Sequence, residues 1–327
     1  MSEYLVLFGG PRERLKLVNE ILSNDKFKLM TLDDFFFSCG DTNKVIALWT
    51  ELIPVVDSKL VNLFKNLKYV FSSTTGIDHI DLDLINSRGL RLKTLRDLPT
   101  VLKEITSTSE LTWCLVLAVW RNLLRNTLFS SVESIANQRE QFPTFQLSQR
   151  NLGIVGFGRI GKKVSEYGRS FGMHVRAYDP YIPNSEIESK GVLPISDLKD
   201  LLQVSDVVIL SATQISGVKP IIDENETKYL KPGSILINTA RGGIWNEPAI
   251  AQALITGKIG GVGVDVYQFE EIKNSSHTKS PLMDIEASKY NIIRTPHLGG
   301  ASVDALEVVT IEMAKEISRV LNTFQND

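Results

Sequence analysis

The segment Asn151–Asp179 constrains the fold of this 327-residue chain more than any other stretch. Leu152 to Val155 is an apolar run of strand length, and Gly156, Gly158 and Gly161 follow it at once. Glycines at that spacing give a tight turn, let backbone N–H groups approach a pyrophosphate, and allow the next helix to pack closely on the strand. Ile160, Val164, Tyr167 and Phe171 then recur at spacings of 4, 3 and 4, which is one face of an α-helix. His174 to Tyr178 reads as a second strand. Asp179 closes it, at a place where a carboxylate can accept both hydroxyls of an adenosine ribose. A glycine turn alone predicts only a turn. Strand, turn, helix, strand and acid together predict a nucleotide site on a parallel sheet.

Such a sheet needs neighbouring strands, and the chain supplies them by alternation. Before the glycine turn, Tyr4–Phe8, Val45–Trp49, Tyr69–Ser72 and Leu90–Lys93 are strand-like runs. Between them lie a helical stripe of Leu15, Val18, Ile21 and Leu22, a helix around Asp57–Phe64, and a short helix from Asp81. After the turn, Asp206–Leu210, Ser234–Asn238, Gly261–Asp265 and Asn291–Arg294 repeat the pattern. The helix beginning near Asn246 has a capping residue, Pro248 in its first turn and Gly257 as a stop. The expected fold class is α/β, with two doubly wound parallel-sheet domains. An outer domain would take residues 1–104 and 295–327, and a nucleotide domain residues 105–294. Glu110–Arg121 encloses an almost unbroken apolar decade, which predicts a helix buried nearly all round, packed on the second domain and contributing to a subunit interface. Leu306, Val309, Met313, Ile317, Val320 and Leu321 form one stripe of a final helix over Ser302–Phe324, which needs a partner surface.

Charge and composition exclude several classes of function. The 36 basic and 38 acidic side chains leave a net charge of −2, so nothing global favours nucleic acid or an anionic membrane. The longest apolar stretch, Leu111–Trp120, is about half of what spans a bilayer. Met1–Gly10 lacks a basic leader and a small-residue cleavage site. The two cysteines, Cys39 and Cys114, have no metal-ligand spacing, which points to a reduced, cytoplasmic protein without a bound metal.

Four histidines, His79, His174, His277 and His297, are the acid/base candidates. His297 differs from the others, because Thr295-Pro-His-Leu-Gly-Gly300 places it in a rigid turn just after a strand. Proline fixes the approach and the paired glycines let other groups come close. Imidazole suits proton donation to a ketone near neutral pH. Glu270 is the expected carboxylate partner, with Glu271 as competitor. Arg241, in Asn238-Thr-Ala-Arg-Gly-Gly243, offers a guanidinium that can hold a 2-oxo acid by its carboxylate and polarise the carbonyl; a surface ion pair is the alternative. Ser72–Asp81 follows a strand and is either a substrate loop or a turn built on Gly76 with Asp78 as a cap.

These motifs resemble the D-isomer-specific 2-hydroxyacid dehydrogenase family, including phosphoglycerate dehydrogenases and glyoxylate/hydroxypyruvate reductases, over nearly the whole chain. Val155-Gly-Phe-Gly-Arg-Ile-Gly161 with Tyr178-Asp-Pro180 is similar to the family's cofactor motif. Ile237-Asn-Thr-Ala-Arg-Gly242 resembles its substrate-arginine motif, Val264-Asp-Val-Tyr267 with Glu270 its acid motif, and Thr295-Pro-His-Leu-Gly299 its histidine motif. The resemblance implies a flavodoxin-like substrate domain and a Rossmann NAD-binding domain flanking a cleft. It implies that NAD meets Gly156, Gly158, Arg159, Ile160, Gly161, Asp179 and Ala240, that Asp265 binds the nicotinamide amide, and that Asp179 favours NAD over NADP. Arg241 would clamp the substrate, His297 would donate the proton in reduction, and Glu270 would orient and charge His297. Backbone N–H groups of Thr75 and Gly76 would hold the substrate carboxylate. A small 2-oxo or 2-hydroxy acid as partner and a homodimer complete the expectation; a dinucleotide-responsive binding protein with little turnover is the rival.

The chain also departs from the family's pattern. Glu271 stands where many members have proline, and Leu210-Ser-Ala-Thr213 lacks the histidine and proline often found there. The connector with Leu95-Arg-Asp-Leu-Pro99 is longer than usual, and its Lys93, Arg96 and Lys103 are candidates to meet a second anionic group on the substrate.

Overall fold

The computed structural model describes residues 4–22, 26–126, 144–214, 218–268 and 280–323. They divide into two compact units, 4–105 with 302–323, and 106–268 with 280–301. Residues 295–301, expected with the first unit, lie in the second. The N–H groups of Thr295 and His297 donate to the C=O groups of Val264 and Asp265 at 2.9 Å each, which ties that segment to the second unit's sheet.

The first unit is built on five parallel strands, β1 (Tyr4–Phe8), β2 (Phe27–Thr31), β3 (Val45–Thr50), β4 (Tyr69–Ser72) and β5 (Arg91–Thr94), in the order β2-β1-β3-β4-β5. All six residues of β3 are buried, as a central strand covered on both faces requires. On one face Val6, Phe8, Ile46 and Phe71 pack with Val18 and Leu22 of the helix Arg12–Leu22, and with Met313 and Ile317 of the helix Val303–Thr323. The apolar stripe of the final helix thus finds its partner beside the first helix, and Met313 and Ile317, fully buried, contribute roughly 1.5–3 kcal/mol each. On the other face Leu7, Leu48 and Val70 meet Phe35, Phe64 and Ile85. The strand β2 has no counterpart among the sequence expectations. It is an edge strand in which Phe27, Leu29 and Thr31 face inward and Lys28 outward, a pattern too short to stand out.

The second unit is a seven-stranded parallel sheet of β6 (Asn151–Val155), β7 (His174–Tyr178), β8 (Leu193–Pro194), β9 (Val207–Leu210), β10 (Ile235–Asn238), β11 (Gly261–Val264) and β12 (Ile292–Arg294). Their order is β12-β11-β10-β9-β6-β7-β8, so the winding reverses between β6 and β9, and a crevice for ligand opens at such a reversal. Register aligns the carboxyl ends: Val155 lies opposite Tyr178 and Leu210, Asn238 opposite Leu210 and Val264, and Val264 opposite Arg294. The loops that follow therefore leave the sheet along one edge.

The helix Ser107–Trp120 packs on β10, β11 and the helix Arg159–Ser170. Its approach explains the Gly-Val-Gly-Val sequence of β11, since a Cβ on Gly261 would come within 2.5 Å of Val119 and one on Gly263 within 3.1 Å of Leu115. The helix is not buried all round as its composition predicts, because Cys114 is exposed and Leu111, Leu117 and Trp120 are half-buried. No helix among the described residues is long and apolar enough to cross a membrane.

Candidate functional site

In the second unit the glycine turn forms as the sequence requires. Gly156 has φ +91°, and a Cβ there would lie 2.6 Å from the backbone of Ala212. A Cβ on Gly161 would fall 2.2 Å from the Gly156 carbonyl oxygen, so the third glycine lets the helix start against the strand. Gly158 caps that helix with no side chain, and a Cβ there would meet nothing within 4 Å, which leaves the first-turn N–H groups approachable by an anion. Arg159 and Ile160 open the helix. Asp179 stands beside the turn with one oxygen accepting the Phe157 N–H at 2.7 Å and the other the Tyr181 N–H at 2.9 Å. Both bonds fix the carboxylate, and lone pairs remain for ribose hydroxyls. A cradle of this shape with a fixed acid beside it fits a dinucleotide.

Ser211, in the segment that lacks the expected histidine and proline, donates to the Gly156 carbonyl at 2.6 Å and holds the turn from below. After β10, the Asn238 carboxamide bridges the next residues, donating to the Arg241 carbonyl at 3.0 Å and accepting the Ala240 N–H at 3.1 Å. Arg241 is half-buried, and its guanidinium donates to the Ala240 carbonyl at 2.6 Å. Gly242 is obligatory at this turn, because a Cβ would lie 1.9 Å from the Tyr267 backbone. Gln214 accepts the Gly243 N–H at 3.2 Å and ties the Arg241 turn to the loop after β9.

Asp265, one residue past β11, is 0% exposed and organises the segment that bears His297. One carboxylate oxygen accepts from the Thr295 hydroxyl at 2.6 Å and the Leu298 N–H at 2.7 Å, and the other from the Gly299 N–H at 2.8 Å. The Ser107 hydroxyl donates to the Gly299 carbonyl at 2.9 Å and the Tyr267 hydroxyl to the Thr295 carbonyl at 2.9 Å. His297 is half-buried and has φ +54°, a conformation that L-residues avoid. His174 begins β7, at the amino end of the sheet, away from these loops. Glu270, Glu271 and His277 lie outside the described residues.

In the first unit, the loop after β4 is held from within. The Ser72 and Thr74 hydroxyls are 2.8 Å apart, and Thr74 donates to the Gly76 carbonyl at 2.6 Å. The His79 ring nitrogen Nε2 lies 3.3 Å from the Ser72 hydroxyl, and the residue is 2% exposed, so it supports the loop from beneath; the cap of the following helix is Asp81. Among the described residues, the N–H groups of Thr75 and Gly76 take part in no hydrogen bond. Two consecutive open N–H groups are donors that a carboxylate can accept from. Glu51, after β3, pairs with Arg14; burial pushes its carboxyl up, while the guanidinium draws it down.

Residues 113–299 match the family model described as D-isomer specific 2-hydroxyacid dehydrogenase, NAD binding domain. The chain belongs to this family. Its second unit is the family's NAD-binding domain. The chain is 31% identical to the glyoxylate reductase of Thermococcus kodakarensis, over 86% of this dehydrogenase-family chain and 80% of that enzyme. It is 30% identical to the D-3-phosphoglycerate dehydrogenase of Methanocaldococcus jannaschii over 81% of its length, but that match spans 48% of the relative, so the chain covers about half of that protein. Among solved structures, D-lactate dehydrogenase from Aquifex aeolicus, complexed with NAD and lactic acid, superposes with a TM-score of 0.79 and 26% identity, covering 98% of this chain and 96% of that one.

Two N–H groups and one hydroxyl of the His297 segment surround the Asp265 carboxylate. Sequence reasoning missed the supporting polar residues Ser72, Thr74, Ser211, Gln214 and Asn238. Their one signal is position, each being a small or amide side chain at or just after the carboxyl end of a parallel strand.

Proposed function

We propose that the chain is an NAD-dependent oxidoreductase that interconverts a 2-oxo acid and the corresponding D-2-hydroxy acid. One observation carries this reading: a single edge of the seven-stranded sheet bears the glycine cradle, the fixed Asp179, the Arg241 turn and the His297 turn locked by Asp265. Bound NAD supplies the hydride chemistry. The chain's own residues bind, charge and protonate. The N–H groups opened by Gly158 receive the pyrophosphate, with Arg159, Ile160 and Gly161 in the same turn and Ala240 lining the approach. Asp179 accepts the ribose hydroxyls and repels a 2′-phosphate. Arg241 grips the substrate carboxylate and draws electron density from the carbonyl, and the Thr75 and Gly76 N–H groups receive carboxylate oxygen. His297 gives its proton to the ketone oxygen in reduction and takes it from the hydroxyl in oxidation, with Glu270 assigned to hold the ring charged.

The test is oxidation of NADH and NADPH by the purified protein with glyoxylate, hydroxypyruvate, pyruvate and phosphohydroxypyruvate. Turnover of at least one acid with NADH, and less with NADPH, is the expected result. Measurable NADH binding without turnover of any acid would replace this reading by that of a dinucleotide-responsive binding protein. Two further features belong to the proposal. The free, exposed thiols of Cys39 and Cys114 suit a reducing cytoplasm. Exposed apolar side chains of the second unit suit a homodimer.

A further inference from the structure

We propose that the turn Thr94–Asp97 is the positioning device of the substrate loop, and that Arg96 aims the N–H groups of Thr75 and Gly76 at the substrate carboxylate; this rests on the oxidoreductase reading above. β4 and β5 are parallel neighbours with Ser72 opposite Thr94, so the loop after one and the turn after the other leave the sheet side by side. The turn is rigid for local reasons. Thr94 accepts the Arg96 N–H at 3.2 Å, and the Asp97 carboxylate accepts the Thr94 N–H at 2.8 Å, a reciprocal capping box. Leu95 is buried against Val101 and Val309, which anchors the turn in the core.

From this base two donors reach the loop. The Leu95 N–H donates to the Thr74 carbonyl at 3.2 Å, and the Arg96 Nε–H donates to the Thr75 carbonyl at 2.5 Å. In a trans peptide the C=O and the N–H of the same unit point in opposite directions. Fixing the carbonyls of Thr74 and Thr75 toward the turn therefore turns the N–H groups of Thr75 and Gly76 away from it. Neither of these N–H groups takes part in a hydrogen bond among the described residues. The third carbonyl, that of Gly76, is held by the Thr74 hydroxyl, which stops the loop from rolling back.

The basic residues of the connector are thereby accounted for in part. Arg96 is committed through Nε to Thr75, and the Lys93 ammonium lies 3.7 Å from the Asp97 carboxylate. Arg96 approaches the carbonyl side of the loop, opposite the open N–H groups. It acts on the substrate through the loop rather than by touching a second anionic group.

Arg96→Met keeps the stem and removes the donor. The expected result is a KM for the 2-oxo acid raised about tenfold or more, with kcat within about twofold and the KM for NADH unchanged, since the lost bond is charge-assisted and orients only the carboxylate contact. Ethylguanidinium added to Arg96→Ala should recover part of the loss. Affinity of the NADH-loaded protein for oxamate, an unreactive analogue with the same carboxylate, is measured alongside by calorimetry. If wild type turns nothing over but Arg96→Met loses oxamate affinity, the oxidoreductase reading fails and the positioning role stands. Wild-type KM and wild-type oxamate affinity in Arg96→Met would overturn the inference whatever becomes of that reading, and a wild type that neither reacts nor binds oxamate overturns both.

Discussion

His297 holds φ +54° in a chain where most other positive φ values belong to glycine, at a cost of roughly 1–2 kcal/mol. Asp265 offsets that cost by accepting from Thr295, Leu298 and Gly299 together, which fixes the backbone on both sides of His297. His297→Ala should lower kcat by about 10² or more, the scale of lost acid catalysis, with NADH affinity kept; steady-state kinetics with near-normal turnover would remove His297 from the chemistry. Asp265→Asn replaces an acceptor-only group by one that must point a donor at a donor, and should destabilise the protein by about 1–3 kcal/mol in urea unfolding while lowering kcat. Its NADH dissociation constant should rise as well, since the same carboxylate is assigned to the nicotinamide amide; an unchanged value would leave Asp265 with the His297 segment alone. The identity of Asp265 as a residue of interest was legible from its strand-end position. Its orientation was not, because a strand's alternation says which residues share a face and nothing of where the first residue after the strand turns. Asp179 was easier to read, since the turn it serves is adjacent in the register as well as in the motif.

At the scale of elements, the glycines divide into those that shape a turn and those that admit a neighbour. Gly161 does the second beside the cofactor cradle: a Cβ 2.2 Å from the Gly156 oxygen would push the helix Arg159–Ser170 off the strand. Gly161→Ala should therefore weaken NADH binding by about tenfold or more, read by fluorescence titration, and an unaltered affinity would show that the cradle can shift without loss. The motif's spacing made this position readable. The glycines of β11 were less so, since Gly-Val-Gly-Val reads simply as a weak strand until the helix Ser107–Trp120 is seen crossing it. The same helix shows the limit of composition. An apolar decade predicts burial, but only five of its residues, Thr112, Trp113, Leu115, Val116 and Val119, are buried, while Leu111, Leu117, Ala118 and Trp120 are half-buried and Cys114 is exposed. The edge strand β2 escaped notice for the opposite reason, with only three inward residues to announce it.

For the whole molecule, alternation of strands and helices carried the fold class and both sheets, because each buried parallel strand is a continuous apolar run bounded by loop residues. The boundary near 301 was harder, since no composition change marks it; hydrogen bonds of Thr295 and His297 to the second unit's sheet decide it. Assembly is the remaining question at this scale. In the second unit Leu123 is 51% exposed and Phe145, beside Trp120 at the end of the long helix, 56% exposed, while the net charge of −2 offers little repulsion between copies. Burying such a surface against a second copy would recover hydrophobic free energy that the monomer forgoes. Sedimentation equilibrium at micromolar concentration should give twice the chain mass of 36.5 kDa. Leu123→Glu with Phe145→Glu should return the mass to that of one chain, because two carboxylates cannot be buried against their symmetry mates without partners. NADH binding should survive in that variant, since neither residue belongs to the cradle; a wild type that sediments as one chain would mean that this apolar face serves some purpose other than self-association.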